Sequence, residues 1–209
     1  MTVLINYKNN STKKNLGNII LFTDEKFNIS PLKKYISRNE YSYVSNLIKT
    51  KDFTKKIYSF DINSKKKIIL ISLKKDIKIA DVEALGANFY DLFKDLKQSD
   101  YWINSDSLSS NSKNIIGHFL HGLKLKSYKF DKYKTKKNRK NLNIFVIGKN
   151  KPPLEDQIKF KALEEGTFYT RDLVSEPGNI LHPDEYAKRL NSLKNVGLKI
   201  NIYDEKKLK

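Results

Sequence analysis

Residues 57–96 read IYSFDINSKKKIILISLKKDIKIADVEALGANFYDLFKDL, and this stretch decides the fold class. It opens with two β-type runs, Ile57–Ile62 and Ile68–Leu73, joined by a Lys-rich turn that suits a hairpin. From Ile79 the period changes. Ile79, Val82, Leu85, Phe89, Leu92, Phe93 and Leu96 fall at steps of three and four, the spacing of one buried helix face. Strand, strand and helix on one short piece of chain predict an α/β or α+β domain rather than an all-helical or all-strand one.

The flanks repeat this mixture. Upstream, Val3–Tyr7 and Ile19–Phe22 are short strand-like runs separated by the polar turn Lys8–Asn15. Ser30-Pro31 is a helix-start signal, and the stretch from there to Lys51 is expected to be helical, with weak patterning. Downstream, Tyr101–Ile103 makes a short strand, and the Ser/Asn-rich loop Ser105–Asn114 caps a second apolar stripe, Ile115, Ile116, Phe119, Leu120 and Leu123. After the basic stretch Lys132–Lys140 comes a strand-length run, Leu142–Ile147, closed by Gly148.

Lys149–Pro153 is the best domain boundary, because its two prolines stop a helix from running through. Beyond it a helix is expected to carry Leu154, Ile158, Ala162, Tyr169 and Leu173 on one side until Pro177-Gly178 breaks it. His182-Pro183 opens another helix, with Tyr186, Ala187, Leu190 and Leu193 inward and Gly197 as its C-cap. Leu198, Ile200 and Ile202 then alternate as one strand face, and Asp204 reads as the cap of a helix that the chain stops short of.

Composition narrows the function classes. The chain has 209 residues, 39% apolar and 31% charged, enough to bury a core. Absence of cysteine excludes disulfides, thiolate metal sites and cysteine nucleophiles. No run approaches about 18 apolar residues, which excludes a helical membrane span. The start, MTVLINYKNN, lacks a basic segment followed by an apolar one, so the expectation is a cytoplasmic protein without a secretory signal.

The net charge is +18, yet only four of the 41 basic residues are Arg. Phosphate-gripping proteins draw on the bidentate guanidinium fork as well as on Lys. A surplus of Lys, Asn and Ile reads instead as a coding bias. The excess does concentrate, at +7 over residues 1–60 and +9 over 101–150, so a nucleic-acid-binding face is the alternative to a solvated Lys-rich surface.

Taken residue by residue, the chain offers little chemistry. It has no GxGxxG, no Walker loop, no HExxH and no nucleophile elbow. His118 and His121 are three apart on the predicted second-stripe helix, but no third ligand stands at suitable spacing, and half-buried helix histidines are the better reading. Glu164-Glu165 and Asp184-Glu185 are adjacent pairs placed near helix starts, where they complement the dipole. His182, before a proline at a helix entrance, reads as a cap.

Two segments are more specific. Arg171–Ala187, RDLVSEPGNILHPDEYA, resembles the stretch that opens the catalytic domain of the M17 leucyl aminopeptidases, the cytosol aminopeptidases. Gly122–Lys136, GLKLKSYKFDKYKTK, resembles the end of that family's N-terminal domain, where a glycine precedes a Y-x-F-D-x-Y-K-T run. Their order, their spacing and the helix containing Gly86 fit as well, so the resemblance covers essentially the whole chain, most weakly over residues 1–60. One departure is Ile71-Ser72-Leu73, where the family usually has a glycine before the leucine; it touches a strand end and not the chemistry.

The resemblance implies a macro-domain-like N-terminal domain over residues 1–150, a mixed sheet with flanking helices. It implies a linker helix and the truncated start of a second α/β peptidase domain over 151–209. The intact enzyme would be a cytoplasmic, homohexameric aminopeptidase acting on peptides with two divalent ions, manganese or zinc. The family's metal ligands and catalytic Lys and Arg sit in motifs of the type V-G-K-G-x-x-F-D-x-G-G and N-T-D-A-E-G-R, and neither occurs in these 209 residues. No catalytic, cofactor-binding or metal-binding residue is therefore carried over, and the chain alone is expected to be inactive. Arg171–Tyr186 is expected to be scaffold: a helix end, a Pro-Gly turn and a helix start.

Overall fold

The hairpin at the centre of the sequence is the outer part of a six-stranded sheet. The computed structural model describes residues 2–8, 17–96, 100–108, 114–135 and 141–208. Most of the polar turn Lys8–Asn15, residues 109–113 of the Ser/Asn loop and residues 136–140 of the basic stretch lie outside the described residues.

The strands are β1 (Thr2–Tyr7), β2 (Asn18–Thr23), β3 (Ile57–Asn63), β4 (Lys66–Ser72), β5 (Asp100–Asn104) and β6 (Asn141–Ile147). Their order across the sheet is β1-β6-β5-β2-β4-β3. All neighbours run parallel except β3, which pairs antiparallel with β4 through the expected hairpin, with a register shift between Asp61 and Asn63. The protein is thus α/β with a mixed sheet.

Both faces of the central strands are covered, which is why β2 and β4 read as continuous apolar runs. On one face α2 (Ile79–Phe93) and α3 (Ile115–Lys126) pack over Ile20, Phe22, Ile69, Ile71, Tyr101, Ile103 and Ile144. On the other, the segment from Phe27 to Ile36 and α1 (Arg38–Lys49) cover Ile19, Leu21, Phe60, Ile68 and Leu70.

Helices α2 and α3 meet at two glycines. A Cβ on Gly86 would lie 1.9 Å from the carbonyl oxygen of Phe119, and one on Gly122 would lie 2.0 Å from that of Glu83. Only hydrogen fits at either crossing. The stripe predicted for α2 is partly corrected: Val82, Leu85, Phe89 and Phe93 are buried, but Ile79, Leu92 and Leu96 are exposed, and Gly86 and Tyr90 take inward places. Close glycine packing rotates the buried face toward α3.

The helix start expected at Ser30-Pro31 is also corrected. Ser30–Lys34 forms a 3₁₀ turn, and α1 begins only after Ser37. There Ser37 N–H donates to Glu40 Oε2 at 2.8 Å and Glu40 N–H donates to Ser37 Oγ at 3.3 Å, a full capping box that prevails over the earlier proline signal. The α3 cap is as expected: Asn114, at φ 49°, accepts from the Gly117 N–H.

Lys149–Pro153 leads into α4 (Leu154–Ser175). The chain separates into two compact units, residues 1–164 and 165–209, which divide inside this helix. The inward face predicted for α4 is overturned at Leu154 and Ile158, which are 70% and 61% exposed. Phe160 and Glu164 face the first unit instead, with the Phe160 ring 5.0 Å from that of His118.

In the second unit, α5 (Pro183–Ser192) follows the Pro-Gly turn, a 3₁₀ turn spans Leu193–Val196, and Gly197 at φ 89° ends it as predicted. Two expectations fail here. Residues 198–204 form no strand, because among the described residues no neighbour completes a ladder. The helix after Asp204 does begin, as α6 (Glu205–Leu208), with Asp204 Oδ1 accepting from the Lys207 N–H at 3.0 Å.

Candidate functional site

Each residue pair singled out in the sequence has a definite place. His118 and His121 project from α3, and each meets a carboxylate from another helix. His118 Nδ1 donates to Glu83 Oε1 of α2 at 2.9 Å. His121 Nδ1 lies 3.5 Å from Glu164 Oε1 of α4, too far for a good hydrogen bond, and has no other partner among the described residues. Phe160 contacts both imidazoles. The histidines therefore tie helices together rather than converge on one point.

Glu164 is the surprise, at 8% exposure. The Glu164-Glu165 pair stands in the middle of α4, not near a helix start, which corrects the dipole reading. A buried carboxylate needs compensating charge. Lys124 lies close enough for Glu164 to favour its charged form, although burial is the larger effect and holds the ammonium below its ordinary range. Lys124 Nζ also donates to the Val3 carbonyl at 2.5 Å, fastening α3 to the edge strand. Tyr7 completes the cluster: burial first, and Glu164 second, push its hydroxyl up to about 12. Sequence reading missed these partners because they lie 35 and 43 positions from their histidines.

Among the described residues, no three His, Asp or Glu side chains group as a metal site. No helix among them is long and apolar enough to cross a membrane.

Asp184 and Glu185 do occupy the first turn of α5, as predicted. His182 stands at the N-cap position but makes no side-chain capping bond. The segment 171–187 is a helix end, a turn closed by Ile180 N–H donating to the Pro177 carbonyl at 2.9 Å, and a helix start. Arg189 locks it by donating to Glu176 Oε1 at 2.9 Å and to Glu185 Oε1 at 3.0 Å, while Tyr169 Oη donates to the Arg189 carbonyl. These are structural contacts that occupy Glu176 and Glu185, two of the charged groups of the segment.

Comparison with known proteins starts from one blank: no family model matches the chain. Curated relatives do. A probable cytosol aminopeptidase of Ehrlichia ruminantium is 33% identical over 174 residues, covering 72% of this chain and 34% of its own length. One from Persephonella marina is 32% identical over 151 residues, covering 68% of this chain and 30% of that protein. The chain thus spans about a third of the length of the curated relatives it matches. Among solved structures, a tomato leucine aminopeptidase mutant superposes with TM-score 0.72 at 19% identity, over 99% of this chain and 45% of that one. A cytosol aminopeptidase from Coxiella burnetii gives 0.60 at 17% identity, over 96% and 40%. The structures share the fold and the curated relatives share the sequence: the chain belongs to the M17 leucyl aminopeptidase (cytosol aminopeptidase) family, as an N-terminal region of it.

Proposed function

We propose that this chain is the N-terminal portion of a metal-dependent leucyl aminopeptidase of the cytoplasm, an enzyme that removes N-terminal residues from peptides. The supporting observation is the identity to cytosol aminopeptidases over 72% of the chain but only 34% of the relative. In this reading residues 1–150 are the N-terminal domain, and 151–209 are a linker helix and the opening of the peptidase domain. The homohexamer, the peptide site and a pair of manganese or zinc ions belong to the part beyond Lys209.

Two such ions would activate a water and polarise the scissile carbonyl from about 3.5–4 Å apart. The residues described in this chain do not fit that pair. His121 and Glu164 offer two donors, with an ammonium group nearby and no third ligand among the described residues. No step of hydrolysis runs through them. The chain's own part is scaffolding: a sheet core covered on both faces, a helix anchored by Phe160 and Glu164, and a Pro-Gly turn held by Arg189.

Expression of the whole reading frame tests the proposal. The expected product continues past Lys209 and hydrolyses leucine amide with manganese, losing activity to a chelator. A reading frame that stops at Lys209, or a longer product without this activity, would overturn it.

A further inference from the structure

Helix α4 changes its partners partway along its length. Up to Glu164 it is fixed to α3. The Phe160 ring lies 5.0 Å from the His118 ring and 5.2 Å from that of His121, and Glu164, 8% exposed, stands 3.5 Å from His121 Nδ1. One turn before Phe160, Asp156 Oδ2 accepts from Asn114 Nδ2 at 2.7 Å. From Tyr169 onward the partners come from the segment that follows the helix. Tyr169 Oη donates to the Arg189 carbonyl at 2.9 Å, and Glu176, just past the helix end, accepts from the Arg189 guanidinium. The two compact units divide between Glu164 and Glu165.

Gly166 falls between these two sets of contacts. Every other glycine inside a described helix has a steric reason. A Cβ on Gly86, Gly117 or Gly122 would meet a neighbour at 1.9, 2.5 or 2.0 Å, whereas one on Gly166 would meet nothing within 4 Å. Gly166 is exposed, and so is Glu165 beside it. The position has room for alanine, and glycine in its place leaves a helix about fivefold more prone to open there.

A second feature acts on the same turn. The Thr170 hydroxyl donates to the Gly166 carbonyl at 3.0 Å, sharing the acceptor that an α-helix assigns to the Thr170 amide. Back-bonding of this kind slightly destabilises a helix and bends it. Glycine and threonine thus weaken one turn, residues 166–170, of a 22-residue helix whose two ends are held separately.

We infer that α4 is a hinged helix that bends at Gly166, with residues 154–164 as the arm fixed to α3 and residues 169–175 as the arm that swings. A hinge of this type absorbs its motion in a few residues while the elements on either side stay intact. The inference concerns α4 alone and does not depend on the enzymatic reading.

The test uses spin labels on the full chain, which has no cysteine of its own, so paired introduced cysteines are labelled without background. Val174→Cys, past the hinge, and Lys159→Cys, before it, are each paired in turn with Lys49→Cys on α1 and Lys65→Cys in the β3–β4 turn, all at exposed positions. In frozen solution the distance distributions to Val174 are expected to be at least about twofold broader than those to Lys159, from one reference site or both. Gly166→Ala should narrow them to the Lys159 width. Adding Ala162→Gly to Gly166→Ala moves the glycine one turn back, between Phe160 and Glu164, and should leave them narrow. Val174 distributions as narrow as those of Lys159 in the parent, unchanged breadth in Gly166→Ala, or breadth restored by Ala162→Gly would each overturn the inference.

Discussion

Gly86→Ala is expected to lower the thermal midpoint of the first unit by roughly 6–12 °C. A methyl group at this position would stand 1.9 Å from the Phe119 carbonyl oxygen and 2.8 Å from the Leu123 amide nitrogen. Both obstacles are backbone atoms of a regular helix, so neither yields by a rotamer change. The helices must separate, and contacts among Val82, Leu85, Phe89, Phe119, Leu120 and Leu123 loosen with them. Overpacking of a core usually costs about 1–3 kcal/mol, and a backbone obstacle puts this case at or above the upper end. Gly122→Ala should behave alike, its Cβ meeting the Glu83 carbonyl at 2.0 Å. Gly166→Ala is the control: nothing lies within 4 Å, the site is mid-helix, and alanine should stabilise by up to about 1 kcal/mol. Circular dichroism melts decide it. A Gly86→Ala protein that melts with the parent would mean that the helices do not cross at these glycines.

The same two glycines mark how far sequence reading reaches. Hairpin, β5, β6 and the two helix stripes are local patterns, and they are legible because apolar spacing is set by the element itself. Strand order is not local: β1 lies beside β6, the strand farthest from it along the chain, and no spacing rule announces that. The face of α4 was misread for a related reason. Leu154 and Ile158 have helical spacing, but the neighbour α3 presents two histidines, and what suits them is Phe160 and Glu164. The histidines read from the sequence as half-buried helix residues, and His118 is half-buried and His121 buried; their carboxylate partners, Glu83 and Glu164, come from helices distant in sequence and are not legible there. The strand expected at Leu198–Tyr203 had the right alternation and lacked only a neighbour, which is a property of surroundings and not of the segment.

Hydrogen exchange should divide the chain sharply. In the first unit, Val3, Ile20, Leu21, Ile69, Ile71, Ile103, Ile144 and Val146 are at most 1% exposed. In residues 165–208, by contrast, no described residue is buried, and Val174, Val196, Leu198 and Tyr203 are each more than half exposed. Opening that exposes little new apolar surface costs little. Amides of β2, β4 and β5 should therefore exchange at least about a thousandfold more slowly than those of α5. The Arg189–Glu185 pair, partly exposed, contributes only about 0–1 kcal/mol, and Arg189–Glu176, although the Glu176 side chain is 1% exposed, holds only the local turn between α4 and α5. Protection of α5 equal to that of β4 would show the second unit to be a stable body in its own right.

This chain carries the fold of an aminopeptidase's N-terminal region, and on the proposed reading the metal site lies outside residues 1–209. The most direct test of that reading is an assay of the pure 209-residue protein on leucine amide, with manganese or zinc added and then removed by a chelator. No hydrolysis above buffer is expected under either metal. Turnover that appears with metal and disappears with chelator would contradict it, and would place a working metal centre among residues 1–209.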